Sequence, residues 1–227
     1  MGKPDIIYED NDIIICYKPA GIATQTRSIG QQDMESFIRN YRAAKNEPPY
    51  VGIVHRLDQP VEGVMVFAKN QKAAASLSRQ IKEHTTEKYY RAASRGQGVS
   101  GAAVEDEEAW HTLTDYISFD KRTNTSKITS EKDRLAKKAV LQYRVISVTP
   151  DRDSSQNECI RTEFDIKLLT GRHHQIRLQL ANIGYPLIGD TKYGHTGGFA
   201  REQLALCSYK IAFDHPATGE RMTFELP

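Results

Sequence analysis

The sequence predicts an α+β fold with a mainly antiparallel sheet, and three observations carry that reading. Strand-like and helix-like stretches alternate irregularly, without the βαβ rhythm of a parallel sheet. Several pairs of apolar runs are separated by short polar turns, as in hairpins. No repeat and no Pro/Gly/Ser-rich linker divides the 227 residues, so a single domain, 1–227, is the simplest organisation.

The elements follow in order. Ile6-Ile7-Tyr8 and Ile13 to Tyr17 flank the polar run Glu9-Asp10-Asn11-Asp12, which predicts a hairpin, and Lys18-Pro19-Ala20-Gly21 ends its second strand. Met34, Phe37, Ile38 and Tyr41 recur at helical spacing between about Gln32 and Ala44, and Asn46-Glu47-Pro48-Pro49 stops that helix. Val51 to Val54 is a short apolar run leading into His55-Arg56-Leu57-Asp58. Gly63 to Ala68 is apolar throughout, the mark of a strand buried on both faces. Ala74, Leu77 and Ile81 place a helix over Gln71 to His84, and Lys88 to Ala92 returns to strand character.

Arg95 to Glu108, rich in Gly, Ser, Ala and acid, predicts a surface loop. Strands are expected at Trp110 to Ile117, Ala139 to Val148 and Ile160 to Leu169. Between the first two lies the polar connection Asp120 to Lys138, which carries Lys121, Arg122, Lys127, Lys132, Arg134, Lys137 and Lys138. It reads either as a solvated hairpin and loop or as a basic patch facing RNA. Ile176, Leu178 and Leu180 alternate as in a strand, while Ile176, Leu180 and Ile183 share one helical face. Gly184 at the position after a helix end, with Pro186 beyond it, favours a helix from Gln175 to Ile183. Tyr209 to Phe213 and Met222 to Leu226 close the chain as a hairpin around Pro216-Ala217-Thr218-Gly219.

The composition, 39% hydrophobic and 26% charged, is that of an ordinary globular protein. No apolar run approaches the roughly 18 residues of a membrane span, and the start of the chain has no signal-peptide pattern. Cys16, Cys159 and Cys207 are odd in number and form no C-x-x-C pair, so idle thiols in a reducing, cytosolic setting are expected rather than disulfides or a zinc ribbon. A net charge of +2 permits nucleic-acid binding only through a local patch.

Two clusters could carry chemistry. His55-Arg56-Leu57-Asp58 ends an apolar run, where side chains can project into a cleft, although an ordinary ion-paired turn has the same composition. Thr170-Gly171-Arg172-His173-His174-Gln175-Ile176-Arg177 opens a helix, whose first N–H groups and arginines suit phosphate. His173 and His174 lack the further ligands that a zinc site needs, so no metal is expected. Serine-hydrolase and nucleotide-binding motifs are absent from the sequence. What remains is a carboxylate with arginines and tyrosines, an inventory suited to chemistry at a nucleoside.

At these residues the chain resembles the RluA family of pseudouridine synthases. The resemblance runs through Lys18-Pro19-Ala20-Gly21, His55-Arg56-Leu57-Asp58 with Gly63 and Phe67-Ala68-Lys69, and Lys88-x-Tyr90-x-Ala92. It continues through Thr170-Gly171-Arg172-x-His174-Gln175-Ile176-Arg177 and Gly184-x-Pro186-Leu187-x-Gly189-Asp190-x-x-Tyr193-Gly194. It implies a long mixed, mostly antiparallel sheet flanked by helices and loops around a central RNA-binding cleft. It also implies roles: Asp58 as the catalytic aspartate, Arg177 as the arginine pairing with it, and Tyr90 as the ring packing on the target base. Arg56 would fill the space left by a flipped uridine, and Arg172 and His174 would help to hold RNA.

An isomerisation of this kind requires no metal, nucleotide or redox cofactor. RNA, ribosomal or transfer, is the expected partner and substrate, and the chain is expected to be a monomer away from membranes. Gln59-Pro60-Val61-Glu62 stands where many members carry Thr-Ser, His173 where Thr is common, and Tyr17 where Asn often precedes Lys-Pro. No separate N-terminal RNA-binding domain is expected. Two other readings compete: an RNA-binding or assembly protein on the same fold, and a metal-dependent hydrolase using His173 and His174.

Overall fold

The computed structural model describes residues 4–26, 30–96, 109–152, 158–194 and 202–227. In chain order its elements are β1 (Asp5–Glu9), β2 (Ile13–Lys18), α1 (Met34–Ala44), β3 (Gly52–Ile53), β4 (Glu62–Ala68), α2 (Gln71–Lys82), β5 (Glu87–Gly96), β6 (His111–Asp120), β7 (Thr125–Thr129), β8 (Lys137–Arg152), β9 (Glu158–Leu168), α3 (Gln175–Asn182), β10 (Leu206–Asp214) and β11 (Arg221–Glu225). The class is α+β, as the irregular order of strand and helix signals predicts. The chain forms two compact units, one of Met1–Lys88 with Cys207–Pro227 and the other of Tyr89–Leu206. Most of the expected loop over Arg95 to Glu108 lies outside the described residues.

The first unit is built on β4. Its buried residues run unbroken from Gly63 to Ala68, and β2 pairs antiparallel along one edge from Ile13↔Ala68 to Lys18↔Gly63. The other edge is shared: β10 runs parallel beside the start of β4 at Cys207↔Glu62, and β3 pairs antiparallel with its end at Gly52↔Ala68. Gly63 makes the parallel approach possible. Its φ is +136°, and a Cβ there would lie 2.3 Å from the Ser208 carbonyl oxygen. One sheet face packs Ile13, Ile15, Val64, Val66, Ile211 and Phe213 against Ala73 and Leu77 of α2. The alternate residues Ile14, Cys16, Met65 and Phe67 are buried too, so the strand core is covered on both sides.

Caps place the helices where the sequence suggests. Asp33 accepts from the Ser36 N–H while Ser36 Oγ accepts from the Asp33 N–H, a reciprocal box that starts α1, and Asn70 accepts from Ala73 N–H to start α2.

In the second unit the strand order is β5-β9-β8-β6-β7, with antiparallel pairing throughout. The basic connection contains a strand, β7, paired with β6 from Tyr116↔Thr129 to Asp120↔Thr125. Its alternation is too weak to stand out from the charged residues around it. α3 is a helix, as its stop signals indicate. Gly184, at φ 89°, donates to Ala181 O and Tyr185 N–H donates to Leu180 O, the paired bonds of a Schellman ending. Leu178 of α3 packs on Ile117 and Ala139, with Ile128 and Tyr193 alongside.

Candidate active site

Asp58 belongs to the first unit, on the turn between β3 and β4, and three features hold that turn. The first is Lys18, whose side chain is wholly buried although it ends a strand of apolar residues. Its ammonium donates to the carbonyls of Pro19 at 3.1 Å, Gln59 at 3.2 Å and Val61 at 2.6 Å. Burial pushes its pKa down to about 8, against the pull of the Asp58 and Glu62 carboxylates, which favour the charged form. The second feature is Thr24, whose Oγ1 donates to Leu57 O and accepts from Leu57 N–H. The third is a reciprocal tie in which Gly21 N–H donates to Gln59 O and Gln59 Nε2 donates to Gly21 O. Lys18-Pro19-Ala20-Gly21 is thus the bracket of the Asp58 turn. Val61 N–H, donating to Asp58 O at 3.0 Å, closes the turn on itself.

His55 fills the gap on the shared edge of β4. Between the residues that β10 and β3 pair, Val66 N–H has no strand carbonyl there and donates to His55 Nε2 at 3.1 Å. Desolvation, with Lys88 adding repulsion, pushes the His55 pKa down to about 3, so the ring stays neutral and can accept. Arg56, between these two anchored positions, is exposed.

Tyr90, Arg172, His174 and Arg177 belong to the second unit. Tyr90 is buried on β5, opposite Ile166 of β9. Gln175 to Leu180 are buried in sequence, so the polar side chains of α3 must be satisfied internally. Thr170 Oγ1 accepts from Val140 N–H and donates to Gln175 Oε1, which also accepts from Arg172 N–H. Gln175 then donates to Gln179, and Gln179 donates to Asp115. The Thr-Gly-Arg-x-His-Gln segment is therefore a structural lock at the head of α3.

Arg177 forms a two-point pair with Asp190, Nε to Oδ2 at 2.8 Å and Nη2 to Oδ1 at 2.7 Å, both side chains being buried. Burial alone would raise the Asp190 pKa, but the guanidinium and the N–H groups of Lys192 and Tyr193 outweigh it and hold the carboxyl low. Arg177 also lies over the Tyr193 ring at 5.4 Å. His174 is buried in left-handed backbone at φ 55°. Tyr193 OH accepts from Ser126 N–H and is hydrogen-bonded to His174 Nδ1 at 2.9 Å. Desolvation first, then the charge of Arg177, push the His174 pKa down to about 3. Arg172 donates from Nε to Lys138 O at 2.8 Å.

Sequence reasoning singled out Asp58 and Arg177 but missed what surrounds them, above all Lys18, Thr24, His55 and Asp190. Lys18, His55 and Asp190 lie inside quoted motifs, and that placement is the only signal they leave. For metals, His173 and His174 direct Nδ1 to Ser126 and Tyr193 respectively. Asp10, Asp12 and His215 also converge within 4.8 Å. There, Asp10 accepts from Tyr8 OH and from the N–H groups of Asp12 and Ile13, and His215 Nδ1 accepts from Ala217 and Thr218 N–H. The His215 Nε2 proton then points at Asp10, which makes the group a hydrogen-bonded clasp.

Residues 12–182 match the RNA pseudouridylate synthase family model. The chain is 32% identical over 228 residues to the uncharacterized RNA pseudouridine synthase YhcT of Bacillus subtilis, covering 100% of this chain and 69% of that one. It is 31% identical to the ribosomal large subunit pseudouridine synthase D of Vibrio cholerae, covering 98% and 67%. It is 27% identical to the tRNA pseudouridine synthase C of Pectobacterium carotovorum, covering 97% and 58%. The chain thus spans about two thirds of the length of the first two of these relatives. In fold it is similar to human RNA pseudouridylate synthase domain containing 1, with a TM-score of 0.76 at 23% identity, covering 99% of this chain and 83% of that one. No helix among the described residues is long and apolar enough to cross a membrane. The chain belongs to the RNA pseudouridylate synthase family, enzymes that isomerise uridine in RNA to pseudouridine.

Proposed function

We propose that Asp58 is the nucleophile of this isomerisation, with Arg177 as its partner and Tyr90 against the target base, and that 1–227 acts as one catalytic domain. The observation that carries this reading is the bracketing of the Asp58 turn by buried Lys18, Thr24 and Gly21. Fixing one short turn with a buried cation is expensive in desolvation, and a catalytic carboxylate that must meet a ribosyl carbon at a set distance gives that expense a purpose. The reaction breaks the N1–C1′ bond, turns the uracil and joins C5 to C1′. C5 loses its proton and N1 gains one, so atoms balance without a cofactor. Asp58 attacks as the carboxylate. A uridine in a stem must leave the stack first, and exposed Arg56, beside Asp58, suits the space it vacates.

The substrate is a uridine of ribosomal or transfer RNA, the two classes for which relatives are named. Arg172 and the basic connection from Asp120 to Lys138 supply phosphate contacts, and His174 supports them from beneath by anchoring the start of α3. Replacing Lys132, Arg134, Lys137 and Lys138 together by Ala should weaken RNA binding and flatten its salt dependence; unchanged affinity would remove the connection from the interface. The reading as a whole is tested by nucleoside chromatography of ribosomal and transfer RNA from cells with and without the gene. One fraction should lose a pseudouridine and regain it on incubation with the protein. Equal pseudouridine in both would contradict the reading.

A further inference from the structure

At the far end of β6, Phe119 leaves 39% of its surface exposed, which for a lone aromatic side chain means little by itself. Its setting is what matters. The ring lies 4.2 Å, centroid to centroid, from His173 at a tilt of 48°, and His173 lies 3.7 Å from His174 at a tilt of 32°, so the exposed ring leans on His173, which leans in turn on His174. The ring cluster is held in place by Ser126. Ser126, the β7 residue opposite Phe119, donates from Oγ to His173 O at 2.9 Å and lies 3.0 Å from His173 Nδ1. Its N–H is bound by Tyr193 OH at 2.7 Å. The hairpin end and the head of α3 are thereby tied into one piece.

Cations are held to the same piece by backbone carbonyls, Lys192 by Asn124 O in the β6–β7 turn and Arg172 by Lys138 O. Lys121, Arg122 and Lys127 are exposed on the hairpin itself, with Asp120 occupied by the Arg122 N–H.

A half-exposed ring leaning on a tethered imidazole, at the end of a hairpin whose turn carries Lys121 and Arg122, has the chemistry of a stacking platform for an unpaired nucleobase whose flanking phosphates meet Lys and Arg. A protein partner would instead favour a broad apolar patch. We propose that Phe119, backed by His173, stacks a single-stranded base of the RNA substrate other than the target uridine, and so contributes to the choice of site. The proposal rests on the synthase reading for its substrate class.

Binding of the full chain to a short fluorescein-labelled oligouridylate, and to an RNA duplex of equal length, tests it. Phe119→Ala should weaken single-strand binding by about 5- to 150-fold. It should leave duplex binding and the salt slope of single-strand binding unchanged, because stacking releases no counterions. Phe119→Trp should restore affinity, and an unchanged melting temperature in both variants would show that the fold is intact. Wild-type affinity for the oligouridylate in Phe119→Ala, or equal weakening on strand and duplex, would overturn the platform, as would failure of wild type to bind either RNA. Tritium release from C5-labelled RNA by the wild type, run in parallel, reports on the synthase reading separately. Release by wild type with an indifferent Phe119→Ala would sink the platform alone, whereas Phe119-dependent binding without release would sink the synthase reading alone.

Discussion

Lowering the pH from 7 to 5 should weaken the folded protein through two histidines, His55 and His174. Both have pKa values pushed down from 6.5 to about 3 in the fold, by desolvation first and then by Lys88 in one case and Arg177 in the other. The sign follows from which state takes up protons. As pH falls below 6.5 the unfolded chain protonates these rings while the folded chain keeps them neutral, so stability held above 6.5 drains away on the descent toward 3. At pH 5 the loss is about 2 kcal/mol for each ring and about 4 kcal/mol for the pair. Against the roughly 5–15 kcal/mol that a domain commands, that is a large fraction. The carboxylates held low, Glu9, Asp10 and Asp190 among them, act in the same direction but only below their ordinary range near 4, so the window from 7 to 5 isolates the histidines. Urea melts at pH 7, 6 and 5 measure the effect. His55→Gln, which keeps an acceptor near Val66 N–H, and His174→Asn, which tolerates left-handed backbone, should each remove about half of the pH slope whatever they do to absolute stability. A double variant with the wild-type slope would refute the reasoning.

Asp190→Ala should destabilise the protein by about 3–5 kcal/mol, since it removes the two-point partner of a buried guanidinium, and Asp190→Asn should cost less because it keeps an acceptor; thermal melts that leave both within 1 °C or so of wild type would contradict the pairing. Lys18→Met should remove the donor to three carbonyls, with a loss of about 1–3 kcal/mol after relief of the buried charge. More tellingly, it should lower turnover by about 100-fold through a loosened Asp58 turn, measured by tritium release on folded protein. Wild-type turnover in that variant would deny Lys18 its positioning role.

Much of this architecture is legible in the chain because burial leaves a period. The unbroken apolar run of β4 announces a strand covered on both faces, and Gly184 with Pro186 decides α3 where the apolar spacing alone does not. A hairpin is among the readings of the basic connection, but the bounds of β7 are not legible, because a short edge strand such as Thr125–Thr129 carries little burial and lies among lysines. The candidate site divides along the same line. Motifs direct attention to the segments that hold Asp58 and Arg177, yet the partners of buried charges leave no period to read. Lys18 ends a run of apolar residues, and only the path of the chain brings the carbonyls of Gln59 and Val61 to it. Asp190 lies 13 residues beyond Arg177, across a helix end and a turn, so their pairing is a product of the fold. His55 reads as a polar motif residue, whereas its ring completes a strand edge that two other strands leave open.

Asp58 carries the account, and one measurement addresses it most directly: tritium release from RNA labelled at uracil C5, with wild type and Asp58→Asn side by side and neither metal nor nucleotide added. The total RNA comes from cells lacking the gene, so its target site is unmodified. Asp58→Asn should fold and bind RNA as wild type does, since the substitution keeps the side chain's shape and the turn is bracketed by Lys18, Thr24 and Gly21. Release by wild type alone is the predicted result. Comparable release by Asp58→Asn would contradict the assignment of the nucleophile, and release by neither, with a known synthase active in parallel, would contradict the proposed reaction itself.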